Sequence, residues 1–347
     1  MLLCVYNDVG LPIMVRSTGS IKQPALAMQG LLYALQTSAQ KSVASIRYID
    51  TDSYKMVYKE CFDSMLAVLI SDQNDVTPTA MLRLLEYLFD AFVLTLGIQT
   101  MKQSASRDKL SKQLKTSVHI LDEIMMQDNR QIPALEAVPA VLLHNDQSSS
   151  ISGALTAFRD SLNTKEALGV CVFVGKEVLA ATSPWWNRLT TREINLISLR
   201  VSSMAPATCR DIPVYLPYFS PNSSTKPGTI PLRMLTFQLT KDLEIVIVCG
   251  RDVSMQRVEE ELIKNKFKSL LTWMEVYSAG EAAQPEIDDG ILGFILVKNG
   301  RYCSCFYDKG NLSLPVQRTL LFSFMETSTS TPSFSSNEKF HNLPSSP

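Results

Sequence analysis

Few side chains in this chain are spaced so that they could carry out chemistry. The three histidines, His119, His144 and His341, fall in separate segments, and none has another ligand at metal-binding spacing. Cys303 and Cys305 would point to one face of a strand, but without a second pair of ligands they are more simply buried thiols. We therefore predict no metal site. The seven cysteines are otherwise scattered singly, which indicates a reducing interior rather than a disulfide framework.

The motifs that cradle phosphates or activate nucleophiles are missing from the sequence. It contains no GxGxxG or P-loop glycine pattern, no GxSxG elbow and no HExxH pair. We predict no cofactor and no enzymatic activity. One catalytic alternative stays open, a nucleophilic Cys171 or Cys249, although both lie in apolar strands where thiols are usually inert.

Composition excludes several other classes of function. A net charge of −1 gives no electrostatic reason to expect a nucleic-acid partner. The first ten residues lack the basic lead of a signal peptide. The longest apolar stretch, Met81 to Leu96, carries Arg83, Glu86 and Asp90, which would be costly inside a bilayer. These features predict a soluble protein of the cytoplasm.

The most unusual stretch is a predicted helix from Pro24 to Ala39, which has no charged residue between Lys22 and Lys41. Met28, Leu31, Leu32 and Leu35 would form one apolar stripe, whereas Leu26, Tyr33 and Ala34 occupy the reverse side. Only Gln29 and Gln36 give a narrow polar edge. Two interpretations remain open: a helix buried within one large domain, or a helix at a subunit interface, where the core is depleted of charge. The predicted partner-binding residues are Leu26, Met28, Leu31, Leu32, Tyr33 and Leu35, and the sequence does not decide which stripe faces the sheet.

Two further clusters each allow two interpretations. A basic group at the start of a later helix could touch acidic membrane lipid or simply be the solvated face of that helix. Its members are Lys102, Arg107, Lys109, Lys112 and Lys115. Trp185 and Trp186 could be a binding hot spot, or they could fill the gap between a helix and a sheet.

These residues must be positioned by elements that the periodicity predicts. Residues 1–127 read as hairpin, helix, three strands and two helices, with Thr77 and Pro78 beginning the first of those two helices. That order predicts an α/β unit of the α+β type, with a five-stranded antiparallel sheet, one helix on one face and two on the other. The strands are expected at 2–6, 11–16, 43–49, 54–59 and 64–70, and the last helix at about 107–127.

The pattern then repeats. Residues 128–150 are predicted to be a linker, and 151–280 a second unit of the same architecture, ending in a helix over 255–277. A partial third unit is predicted at 287–326, where Asn299-Gly300 marks a hairpin ahead of a helix near 316–325. The Ser/Thr/Pro-rich segment 327–347 is predicted to be a disordered tail.

Several segments resemble the Fuzzy family of planar-cell-polarity effectors. The most specific is Cys209-Arg-Asp-Ile-Pro-Val-Tyr-Leu-Pro217, followed by Ser220-Pro221, with weaker likeness at 183–186, 2–4 and 289–293. The family is similar in build to proteins with three tandem longin domains, whose order of strands and helices is the one predicted for residues 1–127. The likeness stops after Met325, which leaves the third domain incomplete and leads us to expect a truncated or alternatively spliced form.

The resemblance implies a non-enzymatic subunit that pairs with an Inturned-like longin protein. Together with a Fritz-like WD-repeat protein, the pair would form the ciliogenesis and planar polarity effector complex. It would engage a Rab-type small GTPase and promote its nucleotide exchange at the basal body of the cilium, where it would contact the cytoskeleton and support cilium assembly and Hedgehog signalling. The alternative is a longin-type vesicle-trafficking adaptor without exchange activity.

Overall fold

The computed structural model describes fifteen stretches of the chain. They are residues 1–42, 45–62, 65–73, 76–102, 107–126, 137–141, 143, 145–162, 167–220, 226–264, 291, 293–298, 301–306, 316–317 and 320–321. His144, His341, the predicted tail 327–347 and the second half of the helix predicted over 255–277 lie outside these residues.

The first unit has the predicted order of elements. They are β1 (Leu2–Tyr6), β2 (Pro12–Ser17), α1 (Leu26–Ser42), β3 (Tyr48–Asp50), β4 (Lys55–Cys61), β5 (Met65–Ser71), α2 (Pro78–Leu96), α3 (Ile98–Lys102), α4 (Arg107–Leu114) and α5 (Val118–Met125). The sheet order is β2-β1-β5-β4-β3, and every pairing is antiparallel. The central strands β1 and β5 are buried throughout because both of their faces are covered by helices. Helix α1 packs on one face, and α2, α4 and α5 pack on the other, as predicted.

Local chemistry explains where α2 begins and where two predictions fail. Thr77 precedes Pro78 and accepts a hydrogen bond from the Ala80 backbone N–H at 3.2 Å, so the predicted start of α2 is confirmed. Of the described part of the strand predicted over 43–49, only Tyr48 and Ile49 belong to β3, and upstream of them the Ile46 N–H donates to the Gln36 side chain of α1.

The helix predicted over 107–127 is interrupted by a 3-10 turn at Lys115–Ser117. The buried Ser117 hydroxyl shares a hydrogen bond with Thr95 of α2 at 2.5 Å. This turn shifts the helical phase, so Ile120 and Ile124 are buried in place of Val118.

The second unit repeats the same sheet. Its elements are α6 (Asn145–Ser161), β7 (Ala167–Val174), β8 (Glu177–Ala181), α7 (Ser183–Trp186), α8 (Thr191–Ser202), β9 (Cys209–Val214), β10 (Leu232–Gln238), β11 (Leu243–Cys249) and α9 (Met255–Lys264). The order β8-β7-β11-β10-β9 matches that of the first sheet strand for strand. In this unit α8 connects the second strand to the third, as α1 does in the first unit. It packs on one face of the sheet, while α6 and α9 pack on the other.

The helix predicted from Trp185 to Ser203 is in fact the two helices α7 and α8. The break occurs because Thr190 begins a new helix with a capping box. Its side chain accepts from the Glu193 N–H, and the Glu193 carboxylate accepts from the Thr190 N–H.

The two units stack face to face around one shared core. Helices α2 and α5 of the first unit pack directly on α8 of the second, so a single apolar cluster runs from the first sheet to the second. The layers are therefore α1, the first sheet, the α2–α4–α5 helices, α8, the second sheet, and α6 with α9. Within the described residues, the outer helical layers are α1 on one side and the α6–α9 pair on the other.

The segment predicted as a linker, 128–150, contributes ordered secondary structure. Its strand β6 (Ala137–Pro139) runs parallel to β13 (Arg301–Phe306), which pairs with β12 (Gly293–Lys298) as the predicted hairpin. The Val141 N–H donates to the Val178 carbonyl at 2.9 Å, which ties this small sheet to β8. Among the residues described, no helix is long and apolar enough to cross a membrane.

Candidate partner-binding surface

Helix α1 leaves a row of large apolar side chains in solvent. Leu26 is 70% exposed, Met28 51%, Leu31 50% and Leu35 39%. We call these four residues the α1 apolar face. All four belong to the predicted partner-binding set, and no charged residue lies among them. The prediction of a helix buried wholly inside one domain is therefore wrong, whereas the interface interpretation stays a prediction.

A different set of side chains packs α1 against the sheet. Gln29, Leu32 and Gln36 are the buried residues of the helix, and their spacing of three and four places them on one side. The predicted polar edge is thus turned inward, which corrects the sequence interpretation. The segments that flank α1 supply the hydrogen bonds this requires, because Gln36 Oε1 accepts from the Ile46 N–H at 2.9 Å and Gln29 Nε2 donates to the Pro24 carbonyl at 2.8 Å. Leu32, also predicted as a partner residue, faces the sheet and is 4% exposed.

Tyr33, the remaining predicted partner residue, holds the helix to the β1–β2 turn. Its hydroxyl donates to the Asp8 carbonyl at 2.7 Å, and its ring lies against Gly10, where φ is +80°. Any side chain at Gly10 would collide with that ring, so glycine is required for both the turn and the close approach. The same turn exposes Val9 and Leu11, two apolar side chains that the sequence analysis did not single out.

The size of the α1 apolar face makes it a plausible site for a protein partner. The exposed fractions of its four residues amount to roughly two complete side chains, whose burial would be worth about 3–6 kcal/mol. Met28, Leu31 and Leu35 follow the spacing of one side of a helix, and exposed apolar side chains grouped in this way are typical of interaction sites. A charge-free patch also avoids the desolvation cost that charged groups would impose at the centre of an interface.

The second unit shows the same kind of helix in a covered state. Helix α8 is the positional counterpart of α1, yet residues 193–199 and Val201 are all buried. The cover is supplied by α2 and α5 of the first unit and by β6, whose Ala137 carbonyl accepts from Asn195 Nδ2 of α8 at 2.9 Å. The described part of the chain therefore contains two helices in this position of a sheet. Helix α8 is covered by other elements of the same chain, and α1 is exposed to solvent.

The thiols proposed as alternative nucleophiles lie in unsuitable surroundings. Cys171 is completely buried, and burial raises the pKa of its thiol far above the ordinary value. Cys249 is also buried, with its sulfur 3.7 Å from the Arg233 carbonyl. Both environments disfavour the thiolate that a nucleophile needs.

The remaining sequence candidates lie apart from α1. His119 is exposed, and among the described residues no group of three or more His, Cys, Asp or Glu side chains could hold a metal ion. Trp185 is buried against Gly169 of β7, which supports its interpretation as a packing residue. Lys109, Lys112 and Lys115 are exposed, so the basic cluster has a solvated face.

Comparison with known proteins agrees with this architecture. A family model described as "First Longin domain of FUZ, MON1 and HPS1" matches residues 1–124, and one described as "Second Longin domain of FUZ, MON1 and HPS1" matches residues 165–264. The Protein fuzzy homolog of Xenopus tropicalis is 27% identical over 322 residues, which cover 92% of this chain and 74% of that protein. The Protein fuzzy homolog of Homo sapiens is 27% identical over 304 residues, covering 85% and 70%. The resemblance inferred from the sequence is confirmed, and the chain belongs to the longin-domain family that includes the Fuzzy homologs.

Proposed function

We propose that this chain is a non-catalytic subunit that pairs through the α1 apolar face with a second longin-domain protein of the Inturned type. The observation that carries the proposal is the contrast between α1 and α8. The chain covers α8 with longin helices of its own, whereas α1 has four large apolar side chains without such a cover. A longin-type partner is the kind of molecule that could supply the missing layer.

We further propose that the resulting pair binds a Rab-type small GTPase and promotes nucleotide exchange. Exchange requires surfaces that stabilise the nucleotide-free GTPase, and it makes or breaks no covalent bond. The pair would act with a Fritz-like WD-repeat protein at the basal body of the cilium, in ciliogenesis, planar cell polarity and Hedgehog signalling. Family membership supports this assignment. The exposed Lys109, Lys112 and Lys115 are available for a peripheral contact with acidic lipid.

A nucleotide-release assay tests the proposal. The chain would be co-expressed with an Inturned-like longin protein, and the purified pair mixed with a panel of Rab GTPases loaded with a fluorescent guanine nucleotide. We expect faster nucleotide release from at least one GTPase, and no acceleration when Leu31→Asp replaces the wild-type chain. Pairing with GTPase binding but without acceleration would instead favour a vesicle-trafficking adaptor. Failure to pair at all would refute the proposal.

A further inference from the structure

Helix α8, the counterpart of α1, is buried at the junction between the two units. On α8, Ile194 and Ile197 are at most 1% exposed, and Tyr87 of α2 is 1% exposed. The Tyr87 ring lies under the Arg192 guanidinium of α8, with 5.5 Å between the guanidinium carbon and the ring centroid. Tyr87 also donates from its hydroxyl to the Arg192 carbonyl at 3.4 Å. Tyr87 therefore reports directly on whether α2 and α8 stay in contact.

A polar cluster bridges α2 and α8 at the edge of their contact. Arg192 Nη1 lies 3.1 Å from Asp90 Oδ2 of α2, and the Tyr218 hydroxyl donates to the same carboxylate oxygen at 2.7 Å. Arg192 also approaches Glu86 Oε2 at 3.9 Å and the Tyr218 hydroxyl at 3.3 Å. Asp90 and Arg192 are largely withdrawn from solvent, with side-chain exposures of 14% and 19%. Charge-assisted hydrogen bonds at such a site are stronger than the same bonds in water.

The segment after β9, which carries the most specific sequence motif, reinforces the same junction. The Tyr215 N–H donates to the Leu94 carbonyl at 2.8 Å and so pairs one of the carbonyls left open at the end of α2. Its ring lies against Gly97, whose φ of +77° ends that helix. Three and four residues further on, the backbone N–H groups of Tyr218 and Phe219 donate to Glu193 Oε1 of α8 at 2.8 and 2.6 Å. The motif thus touches the two helices that meet at the junction.

We propose that Asp90, Arg192 and Tyr218 form a latch that keeps a second longin-binding surface, on α8, closed by the first unit. Helix α8 occupies the place in its sheet that α1 occupies in the other, and it already accepts longin helices, namely α2 and α5. The latch leaves the chain with one open surface of this type, so it takes one longin-type partner. This inference rests on the proposed function, because it treats α1 as the partner surface.

Hydroxyl-radical footprinting read by mass spectrometry tests the latch without any partner. In the double variant Asp90→Ala/Tyr218→Phe, which keeps the Arg192 guanidinium over the ring, we expect oxidation of Tyr87 to rise by about tenfold or more, since the contacts of Asp90 with Arg192 and Tyr218 are lost. Tyr6 under α1 and Phe158 on the buried side of α6, both in other cores, should keep their wild-type protection. The matched control is Arg233→Ala, which breaks an ion pair with Asp211 away from α8. Unchanged Tyr87 oxidation, or equal loss of protection at all three aromatic residues, would overturn the latch.

A pairing experiment then tests whether the opened helix is a partner surface. Leu31→Asp should abolish pairing with the longin-domain partner used in the exchange assay. Adding Asp90→Ala/Tyr218→Phe to that variant, which leaves the residues of α8 unchanged, should restore pairing through α8. If Leu31→Asp fails to abolish pairing, the proposed function is wrong at α1. If it abolishes pairing and the latch substitutions do not restore it, the proposed function stands and this inference is refuted.

Discussion

Replacing Leu31 with aspartate separates the surface role of α1 from its structural role. Leu31 is 50% exposed, so the substitution gives up about 1 kcal/mol of existing burial. Aspartate also costs about 0.5 kcal/mol in helix propensity relative to leucine. The total is small beside the roughly 5–15 kcal/mol that stabilises an ordinary domain, so the chain should stay folded. A carboxylate placed at the centre of an apolar interface should weaken pairing by about 2 kcal/mol or more, or about 30-fold in Kd.

The neighbouring residue provides the matched control. Leu32 is 4% exposed and belongs to the buried cluster between α1 and the first sheet. Leu32→Asp loses about 2–3 kcal/mol of burial, and placing an unpaired carboxylate there costs several kcal/mol more. We therefore expect this variant to unfold α1 or the whole first unit. The two substitutions introduce the same charge on adjacent residues, so they differ only in the side of the helix that receives it.

Urea unfolding followed by far-UV circular dichroism would measure the stability of both variants, and pairing would be measured by isothermal titration with the longin-domain partner. The expected result is a near wild-type midpoint without pairing for Leu31→Asp, and a large loss of stability for Leu32→Asp. If Leu31→Asp pairs with the wild-type Kd, the α1 apolar face is not the interface. If it destabilises the chain as strongly as Leu32→Asp, the assignment of exposed and buried sides is wrong.

Three further outcomes follow from the structure. Gly97→Ala should destabilise the chain by about 1–3 kcal/mol in urea unfolding, because φ is +77° and the new methyl group meets a tyrosine ring. By contrast, Gly30→Ala on α1 should stabilise the chain by about 0.5–1 kcal/mol, because no atom lies within 4 Å of the new methyl group. Burial raises the pKa of Asp90 above its ordinary value of 3.8, although the hydrogen bond from Tyr218 and the Arg192 charge oppose that effect. The folded state therefore binds this proton more tightly than the unfolded state, and the contribution of Asp90 to stability should fall as pH rises from about 4 through the folded pKa. Comparing urea midpoints of wild type and Asp90→Asn from pH 4 to 7.5 would check this sign, and a difference that grows in the wild type's favour with rising pH would contradict it. In the native protein, maleimide should label the exposed Cys209 well before the buried Cys171, and peptide mapping that finds equal labelling would contradict the described packing.

Much of the fold was open to prediction because it depends on local patterns. The continuous apolar run of β5 and the Thr77-Pro78 start of α2 each follow from the spacing of side chains along the chain. Turn chemistry located both hairpins for the same reason. Where prediction failed, as at the 3-10 turn before α5, the cause was a contact with another element, here Thr95 of α2.

The candidate surface was predicted only in part. The absence of charge identified α1 as the unusual helix. It did not separate the residues that pack on the sheet from those that face solvent. Gln29 and Gln36 turned inward because their amides found backbone partners there. Those partners, the Pro24 carbonyl and the Ile46 N–H, lie in the segments that enter and leave α1, and only the folded path of these segments places them beside the two amides.

By itself the sequence determined the strands, the helices, the repeated unit and the family, because each of these depends on side-chain periodicity or on a contiguous motif. Which helix is covered was decided only by tertiary structure. Helix α2 carries Arg83, Glu86 and Asp90 and is nevertheless enclosed between the two units, since Arg192, about a hundred residues later, neutralises Asp90 across the junction. Helix α1 carries one charged residue, Lys41 in its last turn, and its apolar face remains open. Whether a side chain is buried depends on which residues the fold places against it, and the local sequence does not specify those residues.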